Sequence, residues 1–251
     1  MKNYSFWEEL AIINYHRTKS EDYHSPNLGK EQFKLIKQYD KTLRSSNIYI
    51  DSTSGKKYGY INMGILESNE INPFFEQMKD VNYLILDIRN YPISTEAWIN
   101  MAKKLLAKKQ YVTRYTTPNF NYPGYIVYLH ETPGYKMGSN SKNYYKGKVI
   151  ILVDHTTISQ AENESMTLRL APNATVIGTQ TAGADGDIST IVFPGYYTNN
   201  HTGLGWYYAD GRQTQRIGII PDIKVEYDTP FKPSPIDPIM QRALELIRTG
   251  K

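Results

Sequence analysis

The central part of the chain alternates short apolar runs with stretches in which apolar residues recur every three or four positions. The apolar runs predict strands at 58–63, 83–88, 148–154 and 174–178. Helical spacing predicts helices at 70–79, 95–107 and 159–170. The strands at 83–88 and 148–154 contain almost no polar residues, which is typical of strands that are covered on both faces.

The two ends of the chain follow a different pattern. Apolar residues at helical spacing predict two helices near the start, at 6–15 and 32–43, with a break at Pro26 and Gly29. A further helix is predicted at 237–248, after a proline-rich arm. We therefore expect a helical lead-in at 1–50, an α/β core at 57–228, and a C-terminal arm and helix at 229–251.

Strands that alternate with helices predict the α/β fold class, with a largely parallel sheet and right-handed crossovers. In such sheets, functional side chains lie at the carboxyl ends of the strands, where the helices begin. Asp87 and Asp154 close the two most apolar strands. The segments that follow these two residues are where we expect the chemistry.

Composition excludes several kinds of site. The net charge of +4 comes from 29 basic and 25 acidic residues, without the basic face that is typical of nucleic-acid binding. The absence of cysteine excludes disulfides, thiolate metal sites and a cysteine nucleophile. There is no HExxH motif and no histidine pair at ligand spacing, so we expect neither a metal nor a cofactor.

Hydropathy bears on the location of the protein. No run of about 18 apolar residues is present, so we expect no membrane span. The chain also lacks the apolar segment of a signal peptide at its start. Two interpretations follow: a cytoplasmic protein, or a piece of a longer protein that is periplasmic or otherwise exported.

Ser159 stands at the transition from the strand at 148–154 to the next helix. A sharp turn at this point would expose its hydroxyl beside free backbone N–H groups, which is the geometry of a nucleophile elbow, although the GxSxG sequence is absent. The alternative is that Ser159 caps the helix, with Glu162 completing a capping box.

Six motifs occur in an order that resembles a known family. They read LILDIRN at 84–90, ILV at 151–153, TISQAE at 157–162, ATVIG at 174–178, TAG at 181–183 and GIIPD at 218–222. Together they resemble the C-terminal-processing (tail-specific) serine peptidases, which include the tricorn core. The resemblance covers roughly 57–228 and implies a crotonase-like fold, a spiral of strand-strand-helix units. It also implies that Ser159 is the nucleophile and that the Gln160 N–H is an oxyanion donor.

The chain departs from this family at the general base. In the lysine-dependent branch a lysine lies 25 residues after the serine, where this chain has Ala184. Tricorn-like relatives use a histidine from the N-terminal side and a glutamate, whose position corresponds to Gln215. The chain therefore resembles a subgroup that lacks the catalytic lysine.

Several residues remain candidates for the base. The resemblance to tricorn-like enzymes favours His24 and then His16, both in the lead-in. Asp185 follows Ala184 and could orient a base, act as one or hold its loop. The other histidines, His130, His155 and His201, belong to no supporting motif.

The expected function is hydrolysis of peptide bonds through an acyl-enzyme on Ser159. A polypeptide substrate would bind in an extended conformation beside a strand. The loop at 89–93 lacks the glycines that supply the second oxyanion donor in the family, which leaves a degenerate peptide-binding member as the alternative. A crotonase-like acyl-CoA enzyme is a second alternative, since it shares the architecture.

Overall fold

A computed structural model describes residues 45–119, 121–122, 124–127, 134–226 and 237–250. In chain order, the strands are β1 (Ser46–Ile50), β2 (Lys57–Asn62), β3 (Tyr83–Asp87), β4 (Gln110–Tyr115), β5 (Thr117–Pro118), β6 (Ile126–Val127), β7 (Tyr135–Met137), β8 (Lys148–Val153), β9 (Ala174–Gly178), β10 (Ile188–Val192), β11 (Thr198–Thr202), β12 (Trp206–Tyr208) and β13 (Ile223–Lys224). The helices are α1 (Ser68–Gln77), α2 (Thr95–Leu105), α3 (Gln160–Leu168) and α4 (Pro238–Thr249). None of these four helices is long and apolar enough to cross a bilayer.

A six-stranded sheet with the order β1-β2-β3-β8-β9-β13 forms the centre of the molecule. All neighbouring strands run parallel except β1 and β2, which pair antiparallel. The predicted α/β fold with a largely parallel sheet is confirmed. All four strands expected from the apolar runs take part in this sheet.

The end of the predicted helical lead-in is a strand. Residues Ser46–Ile50 pair in register with β2, from Ser46 opposite Ile61 to Ile50 opposite Lys57. Ile48, Tyr49 and Ile50 are β-branched or aromatic and favour a strand once a partner edge is available. The two helices predicted at 6–15 and 32–43 lie outside the described residues.

Both faces of the sheet are covered, as the uninterrupted apolar runs predicted. One face packs on α1, α2 and α3, with Leu84, Leu86 and Ile151 in its core. The opposite face packs on α4 through Ile85 and Ile150. Side chains alternate between the two faces of a strand, so a strand that is buried on both sides needs apolar residues at every position.

Smaller antiparallel pieces lie outside this sheet. Strands β12, β4 and β7 form a three-stranded sheet, β10 pairs with β11, and β5 pairs with β6. The sequence pattern predicted none of them. Most of these strands are short, and every residue of β11 is exposed, so no alternation of buried and exposed positions marks it. Strand β4 has six residues, but its two buried ones, Val112 and Thr113, are consecutive and give no alternation either.

A buried ion cluster fastens the start of α4 to the carboxyl end of β3. The Arg89 guanidinium donates to Asp87 through Nε at 2.8 Å and Nη2 at 2.6 Å, and to Asp237 through Nη1 at 2.6 Å. The Tyr60 hydroxyl donates to Asp87 at 2.9 Å. Asp237 Oδ1 also accepts the N–H groups of the first turn of α4. One cation thus serves two buried carboxylates and a helix cap.

The other end of α4 is held by a second, more exposed tie. Arg248 donates through Nε and Nη2 to Asp51, at distances of 2.7 to 3.1 Å. The Lys56 ammonium donates to the Ile247 carbonyl at 2.8 Å. Because Arg248 is partly exposed, water screens this ion pair more than it screens the Arg89 cluster.

We expect Arg89→Met to lower the free energy of unfolding by about 3–5 kcal/mol, because it leaves two buried carboxylates without a cation. Arg248→Met, which removes the partly exposed arginine at the other end of α4, should cost less, about 1–2 kcal/mol, because buried Asp51 keeps its two hydrogen bonds from Ser54. Urea unfolding followed by circular dichroism measures both. Equal losses in the two variants would contradict the ranking.

Candidate active site

The turn between β8 and α3 is fixed to the exit of β3. Asp154 Oδ1 accepts the N–H and the hydroxyl of Thr156 at 2.8 and 2.6 Å. The Thr157 hydroxyl donates to the Ile88 carbonyl at 3.3 Å, and the Thr156 hydroxyl oxygen also lies 3.2 Å from the Arg89 carbonyl oxygen. These contacts bring the two strand ends predicted to carry chemistry into one cluster.

Ser159 has an unusual backbone conformation, with φ 53° and ψ −121°. The residues in the equivalent position before α2 and α4, Ser94 and Asp237, have φ of −133° and −76° and extended ψ. Extended φ/ψ is the usual conformation of an N-cap residue. Ser159 is a non-glycine residue with positive φ, which costs about 1–3 kcal/mol and is a feature of strained functional turns.

The Glu162 carboxylate is fully buried and is surrounded by donors. It accepts the Thr181 hydroxyl and the N–H groups of Gly183 at 2.8 Å, Ala184 at 3.0 Å and Ser159 at 3.2 Å. An ionised carboxylate is an acceptor only, so these four donors match its chemistry. Glu162 therefore joins the turn at Ser159 to the loop at 181–184.

The loop at 181–184 is itself fixed to the GIIPD segment. Thr181 exchanges backbone and side-chain hydrogen bonds with Ile219, and the Arg216 N–H donates to the Gly183 carbonyl at 2.6 Å. Gly183 has φ 67°, and a Cβ at this position would lie 2.9 Å from the Arg216 carbonyl carbon. A side chain at 183 is therefore excluded by both conformation and space.

Ala184, where the sequence resemblance predicts the loss of a lysine, lies beside Ser159. The N–H groups of Ala184 and Ser159 donate to the same oxygen, Oε2 of Glu162. Ala184 itself is exposed. A side chain at position 184 therefore begins next to the turn that carries Ser159.

Asp185 is buried on the opposite side of the same loop. The Asn163 amide donates to its Oδ1 at 3.1 Å. Burial, and then the negative charges of Glu162 and Asp187, raise the pKa of Asp185 to about 8. The Asp185 carboxyl group is thus held against α3 at Asn163, which lies four residues after Ser159.

The predicted site residues are only partly brought together. Ser159, Gln160 and Asp185 gather at the start of α3, where the Gln160 N–H is the first of the helix and has no acceptor within it. His24 and His16 lie outside the described residues, as does His130. His155 is exposed at the exit of β8, and His201 is exposed on β11.

Sequence reasoning missed two features of this cluster. The capping box predicted for Ser159 and Glu162 is present, but the position of Glu162 three residues after Ser159 gives no sign of the three donors from 181–184. No motif in the sequence marks Asn163. The Arg89 N–H, in the loop expected to give a second oxyanion donor, is already bound to Asp87 Oδ1 at 3.2 Å.

Glu162→Gln should lower the free energy of unfolding by about 3 kcal/mol, because an amide NH₂ group would face donors that now bind a charged acceptor. Glu70→Gln is the matched control: Glu70 holds the same place in α1 and accepts the Glu67 N–H at 2.7 Å near solvent. That change should cost less than about 1 kcal/mol. Thermal and urea unfolding measure the loss of stability in both variants. A loss in Glu70→Gln as large as that in Glu162→Gln would contradict the role of Glu162 in joining the two segments.

Ser159→Gly should raise the free energy of unfolding by about 1 kcal/mol, because glycine adopts positive φ without strain and this gain exceeds its entropy cost. Ser159→Ala keeps the Cβ and should stay within about 0.5 kcal/mol of the parent protein. Urea titration measures the difference. A glycine variant less stable than the alanine variant would show that the turn is not strained.

Comparison with known proteins places this cluster in a family. The model of Peptidase family S41 matches residues 57–225, which include Ser159, Glu162 and the whole loop at 181–187. No curated protein matches the chain.

Solved structures share the fold at low sequence identity. The chain is similar to a protein of Parabacteroides merdae described as a peptidase, with 19% identity, coverage of 82% of this chain and 65% of that one, and a TM-score of 0.67. The photosystem II D1 C-terminal processing protease is 17% identical, with coverage of 73% of this chain and 49% of that one, and a TM-score of 0.54. A lipoprotein from Streptococcus agalactiae is 16% identical, with coverage of 88% of this chain and 75% of that one, and a TM-score of 0.54.

The chain thus spans 49–65% of the length of the first two of these structures. The family match itself covers more than half of this chain and takes in both strand ends on which the site is built. The chain belongs to peptidase family S41.

Proposed function

We propose that the protein is a serine peptidase that cleaves peptide bonds through an acyl-enzyme on Ser159. The observation that carries the proposal is the strained backbone of Ser159 at the start of α3, inside the segment that the peptidase family matches. A strained strand-to-helix turn presents a side chain at the carboxyl edge of the sheet. Ser159 is partly exposed there, as a nucleophile has to be.

The start of α3 supplies the electrostatics that this reaction needs. A tetrahedral intermediate carries a negative oxygen, which is stabilised by backbone N–H donors that are already oriented. The Gln160 N–H is the donor that the proposal assigns. The Ser159 N–H is not available, because it is bound to Glu162.

The general base is the open part of the mechanism. A serine hydroxyl needs a neighbouring group to take its proton. We assign this role to a histidine of the lead-in, His24 before His16, which is where tricorn-like relatives place theirs. Asp185, the other candidate for the base, is among the described residues, where it is buried and bonded to Asn163.

The substrate that this proposal implies is an extended polypeptide. Strands β10 and β11 form a ribbon that pairs with no third strand among the described residues, and β10 begins one residue after Asp187. An extended peptide could add to this ribbon through main-chain hydrogen bonds. The rival function is a family member that binds peptide without cleaving it, which is supported by Ala184 and Gln215 at positions where relatives carry catalytic residues.

A fluorophosphonate probe tests the proposal directly. We expect it to label Ser159, since a serine with an activated hydroxyl reacts with such probes. Ser165 is the internal control: it lies in the same helix, is buried, and donates its hydroxyl to the Ala161 carbonyl at 2.8 Å. Mass spectrometry of the digested adduct locates the label.

Variants then separate the possible outcomes. Ser159→Ala should lose the label, and His24→Ala should reduce the labelling rate at least about 100-fold if that histidine is the base. No label on the parent protein, together with measurable binding of an unstructured peptide, would favour the non-cleaving alternative. A label on another serine would contradict the assignment of Ser159.

A further inference from the structure

Two oxygen atoms beside the active-site loop are buried and lack a hydrogen-bond partner. They are Oδ1 of Asn163 and Oδ2 of Asp185. The other halves of the same two groups are already bonded, because Asn163 Nδ2 donates to Asp185 Oδ1 at 3.1 Å. Asp185 is only 2% exposed and Asn163 only 6%. Bulk solvent therefore does not reach either oxygen.

The two unsatisfied atoms are complementary once a proton is added. An ionised carboxylate is an acceptor only and offers the Asn163 oxygen nothing to accept. A protonated carboxyl carries one O–H donor. Placed on Oδ2, this proton would supply the donor that the Asn163 oxygen lacks, and with the existing Asn163 Nδ2 bond it would make a ring of two parallel hydrogen bonds between an acid and an amide. Leaving both oxygens unsatisfied would instead incur the penalty of two buried polar groups.

We propose that Asp185 is a neutral acid at physiological pH and forms a cyclic acid–amide pair with Asn163 that fastens the loop at 183–187 to α3. The pair makes Asp185 a positioning residue and not the general base. Its proton is engaged with the Asn163 oxygen and does not take part in the transfer from Ser159.

The charges around the pair favour the neutral form. Glu162 on α3 and Asp187 on the same loop are the charged groups that act on Asp185, and both are negative. Among the described residues no lysine or arginine binds the Asp185 carboxyl. Burial away from water, without a cation, disfavours the charged form of an acid, in agreement with the raised pKa.

Because the pair requires the proton of Asp185, the stability of the folded protein should depend on pH, and the direction of the change can be derived. The pKa of Asp185 is about 8 in the folded protein, against an ordinary value of 3.8 for an aspartate side chain. Between these two values the folded state binds one proton that the unfolded state has released, so stability falls as pH rises. Above about pH 8 the ionised carboxylate faces the Asn163 oxygen and Glu162, and the loop should loosen.

Asp185→Asn is the decisive variant, because an asparagine has the donor and the acceptor of the protonated acid in the same places. We expect this variant to remove the decline in melting temperature between pH 4 and pH 8 that Asp185 causes, and to be more stable than the parent protein at pH 9. Hydrogen exchange at the Ala184 N–H should accelerate in the parent protein above pH 8, relative to the variant at the same pH.

Asp187→Asn is the matched control: it removes a negative charge from the exposed part of the same loop and should retain the pH dependence. Carbon-13 NMR of labelled aspartate reports the protonation state without any peptide substrate, so the result is independent of the proposed peptidase activity. A carboxyl signal of Asp185 that titrates near pH 4 would overturn the proposal. A melting curve of Asp185→Asn that follows that of the parent at every pH would do the same.

Discussion

The buried carboxylate of Glu162 is the interaction on which the arrangement of the site depends. It binds the Ser159 N–H on one side and the hydroxyl and two N–H groups of 181–184 on the other. Those two segments are separated by the whole of α3 and β9. Glu162 joins them through four hydrogen bonds, and the Ala182 N–H, which donates to the Thr157 carbonyl at 3.1 Å, adds a direct backbone contact. The geometry of the candidate site is therefore connected to the stability of the carboxyl edge mainly through one buried carboxylate.

Buried acids at this edge reach stability by three different physical routes. Glu162 is surrounded by neutral donors, Asp87 and Asp237 share the Arg89 cation, and Asp185, by our inference, keeps its proton. Each route removes the cost of burying an unsolvated charge. The first needs neutral hydrogen-bond donors, the second needs a cation, and the third needs a bound proton. A cluster of carboxyl groups can thus lie within one site although Arg89 is the only buried arginine in the part of the chain that the structure describes.

The sequence was sufficient for the central sheet, and insufficient for the hydrogen bonds of the candidate site, which stays a prediction. Strands such as 83–88 and 148–154 are buried on both faces, so their apolar runs are long and distinctive. The exposed ribbon at 188–202 has no such signal. The hydrogen bonds between Glu162 and 181–184 are tertiary contacts, which the spacing of residues along the chain does not predict. Asn163 has no feature in the sequence that distinguishes it from other polar residues of a helix. The division into lead-in, core and C-terminal arm stays a prediction.

The double attachment of α4 has a consequence for how the chain folds. Its ties run from Asp237 back to Arg89, 148 positions earlier, and from Arg248 back to Asp51, 197 positions earlier. Contacts this distant along the chain form late and slow the search for the native state. Until they form, the sheet face around Ile85 and Ile150 has no cover. During synthesis this face is the surface that a chaperone would be expected to protect, and the one through which incomplete chains would associate.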